Sequence, residues 1–249
     1  MGSAAAERTV VVTGGAGGIG LAVVERLLED PGVSVAIVDR DAPEHLAPGR
    51  WEFFACDVSD PESVRAAHGL IEQRLPPVRG LVNGAGIVDN TASLDVGLGT
   101  IHGVFAVHVD GTVLWSQAVA PGMIAAGAGS IVNIGSVAGL FGHPRRLAYG
   151  AAKAAIHSIT KTLAVEWAGS GIRVNAVAPG YIATPMMVEV ARIGLLDGEA
   201  AANYSAVKRL GEPAEVADAI DYLLSDRASY ITGTVLQVDG GFSVLKVEP

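Results

Sequence analysis

Short runs of β-branched and other apolar residues alternate with longer helix-like stretches along nearly the whole chain of 249 residues. The strand-like runs are residues 9–13, 33–38, 51–56, 80–82, 130–134, 173–178 and 235–238. The helix-like stretches between most of them are 18–29, 61–75, about 100–126, 149–169 and 213–224. This alternation predicts an α/β fold, a doubly wound parallel sheet with helices on both faces. No linker, charge block or repeat divides the sequence, so we expect a single domain over residues 1–249.

One stretch, residues 181–211, fits neither pattern and is too long for an ordinary connection. An insertion of this length is typical of a lid over a substrate. Met186, Met187 and Val188 at its start would supply an apolar wall, because methionine adapts to irregular ligands, although the same residues could also fill a core.

The charge and the cysteine content of the chain disfavour several kinds of partner and site. The net charge of −9 and the pI of about 5.1 disfavour nucleic acid or an anionic membrane as partner, since both need clustered Lys and Arg. A small-molecule partner fits better. The single cysteine, Cys56, excludes an internal disulfide and a cysteine-rich zinc site. With no secretory signal and no apolar run long enough for a membrane span, we expect a cytoplasmic protein.

Five glycines follow the first predicted strand and run into the start of the first predicted helix: Gly14, Gly15, Gly17, Gly18 and Gly20. Their spacing fits both GxGxxG and TGxxxGxG. Such a turn lets a helix N-terminus approach a pyrophosphate, whose charge its N–H groups and dipole favour. Asp39, at the end of the second strand, can accept from the ribose 2′-OH of NAD and would repel the 2′-phosphate of NADP. Arg40 could meet a 2′-phosphate, but the glycine turn has no basic residue, so the sequence predicts NAD.

Tyr149 and Lys153 stand four residues apart at the start of a predicted helix, with Ser136 upstream. Positions i and i+4 share a helix face, so the Lys153 ammonium can lie beside the Tyr149 phenol. A nearby cation lowers the pKa of a tyrosine from its usual value of about 10, which favours proton transfer. The pair also arises by chance on exposed helix faces, so the rest of the chain must decide.

Five motifs occur in chain order: the TGxxxGxG turn, Asn83-Gly84-Ala85-Gly86, Ser136, Tyr149-x-x-x-Lys153 and Pro179-Gly180. Over residues 8–243 the chain resembles the short-chain dehydrogenase/reductase family, in the single-domain form typified by 3-oxoacyl-carrier-protein reductases and related alcohol dehydrogenases. The resemblance implies a Rossmann fold with Tyr149 as general acid or base. It also implies that Lys153 lowers the pKa of Tyr149 and holds the nicotinamide ribose, while Ser136 binds the substrate oxygen.

The resemblance further implies a set of cofactor contacts. Asp57 and Val58 would meet the adenine, where the alternative is a helix N-cap before Pro61. Asn83 would support the cofactor-bearing strand ends, and Ile182 and Thr184 would contact the nicotinamide amide and a phosphate. The complete expected set is Gly14, Gly17, Gly18, Ile19, Gly20, Asp39, Asp57, Val58, Asn83, Ala85, Gly86, Tyr149, Lys153, Pro179, Gly180, Ile182 and Thr184.

The chain departs from the family pattern at two positions. Gly84 replaces the second Asn of Asn-Asn-Ala-Gly and loses only a side chain. His108 stands where the family has the Asn of its Asn-Ser-Tyr-Lys tetrad, which kinks its helix and leaves a carbonyl free for a water leading to the lysine. We hypothesise that His108 keeps this proton relay with altered pH dependence; the alternative is a tolerated substitution.

The other histidines, His45, His68, His102, His143 and His157, show no metal-ligand spacing with carboxylates, and we expect surface or local hydrogen-bonding roles and no metal. His143, Arg145 and Arg146 lie in a segment that borders the substrate cleft in this family. An inward arginine there would suit a carboxylate or phosphate on the substrate. The alternative is a solvated or subunit-contact loop.

These patterns predict an NAD-dependent oxidoreductase that interconverts a secondary alcohol and a ketone. A close alternative is a dehydrogenase for a cis-dihydrodiol or another ring alcohol. A dinucleotide-binding sensor or scaffold without turnover is the non-enzyme alternative, supported only by His108. A Rossmann-like methyltransferase would share the glycine turn but has no need of Tyr149 and Lys153. The resemblance also implies a homo-oligomer, a tetramer or a dimer, packed through residues 104–126 and 151–165.

Overall fold

A computed structural model describes residues 8–185, 187 and 202–245. Its seven strands are β1 (Arg8–Thr13), β2 (Val33–Asp39), β3 (Trp51–Ala55), β4 (Val78–Asn83), β5 (Gly129–Ile134), β6 (Ile172–Pro179) and β7 (Val235–Val238). They form one parallel sheet in the order β3-β2-β1-β4-β5-β6-β7. The predicted doubly wound α/β sheet is confirmed, and each predicted strand is present within about two residues of its expected ends.

The described residues contain six α-helices: α1 (Gly18–Leu28), α2 (Pro61–Arg74), α3 (Leu98–Phe105), α4 (Gly111–Ala126), α5 (Leu147–Trp167) and α6 (Pro213–Leu224). The predicted helix at 100–126 is wrong in one respect. It is two helices, α3 and α4, joined by a π-helical turn at Ala106–Asp110. None of the helices in the described part of the chain is long and apolar enough to span a membrane.

Helices cover both faces of the sheet because both faces of its central strands are apolar. On one face α1 and α6 pack over Val10, Val12 and Ile37, with Val24 and Ile220 fully buried. On the other face α2, α4 and α5 pack over the alternate residues of the same strands. Neighbouring strand residues point to opposite faces, so near-continuous apolar runs suit a sheet buried on both sides.

The strand order reverses between β1 and β4, which leave the sheet to helices on opposite faces. The loops that follow these two strands therefore diverge and open a crevice at the carboxyl edge of the sheet, where ligands of such folds bind. The first of these loops is the glycine turn and the second is Asn83-Gly84-Ala85-Gly86. The fold thus sets two of the predicted motifs side by side.

The two ends of the irregular stretch 181–211 meet each other. Ile182 and Gly211 form an isolated parallel bridge, in which Ala183 donates to the Gly211 carbonyl at 2.8 Å and Gly211 donates to the Tyr181 carbonyl at 2.9 Å. The two ends of the predicted lid are therefore hydrogen-bonded to each other just beyond the end of β6. Residues 186 and 188–201 lie outside the described part, so Met186 and Val188 are not placed.

Candidate active site

A cavity of about 510 Å³ opens at the carboxyl edge of the sheet. Its lining includes the four predicted catalytic residues, Ser136, Tyr149, Lys153 and His108. It also includes every predicted cofactor residue except Asn83: Gly14, Gly17, Gly18, Ile19, Gly20, Asp39, Asp57, Val58, Ala85, Gly86, Pro179, Gly180, Ile182 and Thr184. Residues at the carboxyl ends of β1 to β6 thus meet side chains of the π-helical turn and α5 at one site.

The glycine turn is packed too closely for side chains at Gly14, Gly15 and Gly20, where an added Cβ would lie within 3.0 Å of a backbone atom. A Cβ on Gly20 would lie 2.0 Å from the Gly14 carbonyl oxygen, and one on Gly14 would lie 2.7 Å from the Ala85 nitrogen. A Cβ on Gly17 would meet nothing within 4 Å, so the turn is open on that side. Gly17 is also the N-cap of α1 and provides no side-chain cap. The first N–H groups of α1 are therefore available to an anion such as a pyrophosphate.

Asp39 lies at the end of β2 on the wall beside this turn. Its Oδ2 accepts from the Ala16 N–H at 3.1 Å and its Oδ1 accepts from the Arg40 N–H at 2.8 Å. These bonds leave further lone pairs on a carboxylate that faces the cavity, which fits a ribose diol. Arg40 also lines the cavity, but it is an exposed residue. The residues present therefore fit a dinucleotide.

Asn83 lies behind the cavity rather than on its wall. It is buried, and its Nδ2 donates to Asn133 Oδ1 at 2.9 Å and to Ser116 Oγ at 3.2 Å. These bonds tie β4 to β5 and α4 and agree with the expected role of supporting the cofactor-bearing strand ends, although Asn83, a member of the expected contact set, does not line the cavity. Asp57 does line the cavity, but Ser59 N–H and Oγ hold its carboxylate and lower its pKa. The N-cap of α2 is Asp60, not Asp57.

Ser136 and Tyr149 face each other across the cavity. Ser136 caps a short helical turn after β5 through the Ala138 N–H, at 3.1 Å, and is almost fully buried. Tyr149 is half-buried in the first turn of α5. Burial raises the pKa of Tyr149, and a side-chain hydrogen bond with Ser136 and the Arg146 charge oppose that rise.

Lys153 lies one turn beyond Tyr149 on the same face of α5, as its spacing predicts. Its Nζ donates to the Ile134 carbonyl at 2.6 Å and lies 5.5 Å from the centroid of the Tyr149 ring. Burial lowers the pKa of Lys153 to about 7. The expectation that Lys153 brings the pKa of Tyr149 below its usual value is wrong in this structure, because burial dominates and the opposing effects come from Ser136 and Arg146.

His108 is buried in the π-helical turn, against both Tyr149 and the loop after β4. Its ring meets the Tyr149 ring edge to face, with centroids 5.5 Å apart. Its Nε2 lies 2.7 Å from the Ile87 carbonyl oxygen and 3.1 Å from the Ile87 nitrogen. Burial and the Lys153 charge lower the pKa of His108 to about 3. The imidazole is therefore neutral at ordinary pH, and its own ionisation cannot reshape a pH profile near neutrality.

His157 is buried beside Lys153, and a surface role is therefore wrong for it. A Cβ on Gly135 would lie 2.3 Å from its Nε2, so the ring packs against the loop that carries Ser136. Burial and the charges of Lys153 and Lys161 lower the pKa of His157 to about 4. Its spacing of four from Lys153 on α5 could have revealed this position.

Of the three residues expected to border the substrate cleft, His143, Arg145 and Arg146, two line the cavity and one does not. His143 and Arg146 line the cavity, whereas Arg145 donates from Nε to the Asn90 carbonyl at 2.9 Å and does not line it. Phe242, near the end of the described chain, also lines the cavity and was not predicted. An isolated aromatic residue in a turn carries no periodic signal, so only the fold reveals it.

A family model described as Enoyl-(Acyl carrier protein) reductase matches residues 14–243, nearly the whole chain. The chain belongs to the short-chain dehydrogenase/reductase family. It is an oxidoreductase of that family, whose members use nicotinamide dinucleotides.

Several relatives in the family cover the chain almost completely. The chain is 40% identical over 241 residues to galactitol 2-dehydrogenase (L-tagatose-forming) of Cereibacter sphaeroides, covering 94% of each chain. It is 38% identical over 256 residues to cis-4-hydroxycyclohexanecarboxylate dehydrogenase of Sinomonas cyclohexanicum, covering 98% of this chain and 100% of the relative. It is also 41% identical to an uncharacterized short-chain type dehydrogenase/reductase of Sinorhizobium fredii, but spans only 43% of that protein's length.

Solved structures of family members share the fold. The ligand-free aldohexose dehydrogenase of Thermoplasma acidophilum superposes with a TM-score of 0.90 at 31% identity, with 98% of this chain and 97% of that one covered. ElxO with NADP bound superposes with a TM-score of 0.88 at 30% identity, with 95% and 98% covered.

Proposed function

We propose that this member of the family is an NAD(H)-dependent dehydrogenase that interconverts a secondary alcohol and a ketone. The observation that carries the proposal is that Ser136, Tyr149 and Lys153 line the same cavity as the glycine turn and Asp39. A cofactor held by the turn and a substrate held by Ser136 would then meet within one site.

Tyr149 is the proposed acid and base. In alcohol oxidation the phenolate takes the proton of the substrate hydroxyl, and in ketone reduction the phenol returns it. The Ser136 hydroxyl donates to the substrate oxygen and stabilises the charge that develops there. When bound, a nicotinamide dinucleotide supplies hydride transfer to or from the carbinol carbon.

Lys153 and His108 complete the proposed machinery without touching the substrate oxygen. The Lys153 ammonium, fixed to the Ile134 carbonyl, can hold the nicotinamide ribose. His108 is a positioning residue, since its neutral ring packs against Tyr149 and fills the space beside Gly86. A proton relay at this position would run through main-chain groups of the π-helical turn, because the imidazole does not ionise near neutral pH.

NAD rather than NADP is the proposed cofactor because Asp39 presents a carboxylate where a 2′-phosphate would lie. Arg40 and the NADP-bound ElxO structure support the opposite choice. Two variants decide between them. With NAD preferred, Asp39→Asn weakens NAD binding and relieves the rejection of NADP, while Arg40→Gln leaves the ratio of the two binding constants nearly unchanged. A wild-type preference for NADP that Arg40→Gln abolishes contradicts this assignment.

The proposed substrate class is a secondary alcohol, and a ring alcohol is the second candidate. Two relatives support these choices by name, since one forms L-tagatose from galactitol and the other acts on cis-4-hydroxycyclohexanecarboxylate. The test is NADH formation over a panel of polyols, cyclic alcohols and cis-dihydrodiols, with Tyr149→Phe as the control. Turnover abolished in Tyr149→Phe supports the dehydrogenase. Tight NAD binding without turnover of any alcohol or ketone supports the sensor instead.

We also propose a cytoplasmic homotetramer, with a dimer as the alternative. Two apolar side chains on the surfaces of α4 and α5 support an oligomer: Ile124 is 44% exposed and Val165 is 82% exposed. The one cysteine, Cys56, is buried with a free thiol, which suits a reducing compartment. Light scattering of the purified protein distinguishes tetramer, dimer and monomer.

A further inference from the structure

The cavity has a second end, beyond Tyr149 from the glycine turn, where the described lining residues include a cation and no carboxylate. The two carboxylates on the wall, Asp39 and Asp57, lie at the dinucleotide end. The opposite end is formed by Arg146, His143, Tyr181, Met187 and Phe242. Among the described residues that line this end, Arg146 is the one permanent charge.

The Arg146 guanidinium faces the proposed reaction centre. Its Cζ lies 5.7 Å from the centroid of the Tyr149 ring. Its charge lowers the pKa of both Tyr149 and Tyr181 against the opposing effect of burial, so the cation lies near both phenols. It is therefore within reach of a small molecule whose hydroxyl is bound by Tyr149.

The hydrogen-bonding capacity of Arg146 is largely unused by the described protein atoms. Its one hydrogen bond there is a long one, from Nη1 to the Asp89 carbonyl oxygen at 3.4 Å. It forms no ion pair with a described carboxylate. The nearby Asp89 carboxylate accepts from Thr91 Oγ1 through Oδ1 at 2.7 Å, and its buried Oδ2 has no hydrogen-bond partner among the described residues. A guanidinium carries five N–H donors in a fork that matches a carboxylate, so a half-buried one without such a partner suits an anionic ligand.

Aromatic rings form an apolar wall beside Arg146. Tyr181 and Phe242 line the cavity with ring centroids 5.6 Å apart, and Tyr204 packs on both rings at 6.0 and 6.1 Å. His143 Nε2 lies 2.8 Å from the Tyr181 hydroxyl and fixes that ring at the wall. A ligand between Tyr149 and Arg146 would thus lay a hydrocarbon skeleton against rings and direct an anion to the guanidinium.

We propose that Arg146 binds the carboxylate of a hydroxy-acid or keto-acid substrate, and that the substrate class is therefore an anionic alcohol with an apolar carbon skeleton. The carboxylate takes no part in the bond changes; it orients the carbinol toward Tyr149. This inference rests on the proposed dehydrogenase function and specifies its substrate.

The test compares each hydroxy acid with its own carboxamide, which has the same shape and no charge. The probes are hydroxycyclohexanecarboxylates with the hydroxyl on carbon 2, 3 or 4, together with the corresponding carboxamides. The wild type should prefer a carboxylate in kcat/KM. Arg146→Met should lower kcat/KM for that carboxylate by roughly 10- to 100-fold and for the carboxamide by much less, as expected for a charged hydrogen bond.

Arg145→Met is the matched control, because Arg145 is adjacent to Arg146 in the chain but does not line the cavity. It should leave both substrates unchanged, and Arg146→Lys should restore part of the preference. Arg146 also lowers the pKa of Tyr149, so Arg146→Met changes the pH dependence for both substrates. Only the ratio of kcat/KM for the carboxylate to kcat/KM for the carboxamide reports binding of the anion.

A calorimetric binding arm separates this inference from the proposed function. It uses Tyr149→Phe protein saturated with NADH, titrated with each acid and each carboxamide, with and without Arg146→Met. Turnover of alcohols without a carboxylate preference, or equal losses in Arg146→Met, overturns the inference and leaves the dehydrogenase standing. Arg146-dependent binding of the acid, without turnover of any alcohol by the wild type, overturns the dehydrogenase and keeps the anion site. If the protein shows no turnover and no charge-dependent binding, both the dehydrogenase and the anion site are overturned.

Discussion

His108 should make the folding stability fall at mildly acidic pH. In the folded protein its pKa is lowered to about 3, mainly by burial. In the unfolded chain the pKa returns to about 6.5. Between these values the unfolded state binds the extra proton and the folded state does not, so the free energy of unfolding falls as the pH falls through this window.

The size of the effect follows from the two pKa values. Each pH unit below the unfolded pKa is worth about 1.4 kcal/mol per proton, so His108 lowers the unfolding free energy by about 2 kcal/mol between pH 7.5 and pH 5. His108→Asn removes that contribution. The variant has its own stability at pH 7.5, since a buried ring is lost, but its further decrease on going to pH 5 should be about 2 kcal/mol smaller than that of the wild type.

The measurement is urea unfolding at pH 7.5 and pH 5, followed by far-ultraviolet circular dichroism. His102→Asn is the matched control, because His102 is exposed on α3 and the substitution is the same. His157→Asn should repeat the His108 result, since burial also lowers the pKa of His157, to about 4. If wild type and His108→Asn lose the same stability between the two pH values, His108 ionises in the folded state and the reasoning is refuted.

Variants at Gly20, Lys153 and Arg173 should each change the stability of the fold. Gly20→Ala places a Cβ 2.0 Å from the Gly14 carbonyl and should cost about 2–3 kcal/mol of stability in thermal unfolding, while Gly17→Ala, which meets open space, should cost little. Lys153→Met should lose the gain of about 2–3 kcal/mol that the wild type shows between pH 7.5 and 9.5, because the pKa of Lys153 is about 7 when folded and about 10.4 when unfolded. Arg173→Met removes donors to the Leu223 and Ser225 carbonyls at the end of α6 and should cost about 2–3 kcal/mol in urea unfolding, without a change in cofactor binding.

The sequence alone predicted the parallel sheet, because the pattern that identifies a buried parallel strand is local. Each strand needs a crossover to return the chain, and burial on both faces makes the strand apolar throughout. The glycine turn was equally legible, since Gly14 and Gly20 occupy places that no side chain fits. These features depend on a few neighbouring residues, and a single sequence records them.

No residue within Ala106–Asp110 interrupts a helical pattern, so the residues themselves did not predict the π-helical turn. Only the resemblance, in which the family residue at position 108 kinks its helix, pointed to an irregularity there. Its cause is non-local: the loop after β4 brings Ile87 within 2.7–3.1 Å of the His108 ring, and Gly86 leaves room for that ring. Asn83 was expected to support the strand ends, but the partners through which it does so, Asn133 and Ser116, are far away in sequence and could not be named.

Arg145 and Arg146 show most directly what periodicity cannot decide. Both precede α5 and both carry the same charge, so composition gives no reason to send one inward. The backbone makes the choice: Arg145 has φ of 61°, an unusual value for a residue with a side chain, and its guanidinium reaches Asn90 instead of the cavity. Arg146 follows as the N-cap of α5, three residues before Tyr149, and so comes to lie over the tyrosine ring. The specificity of the proposed carboxylate site therefore depends on one turn of backbone, and insertion of a residue between Arg146 and Tyr149 should abolish the preference for acids while Tyr149 and Lys153 keep their spacing.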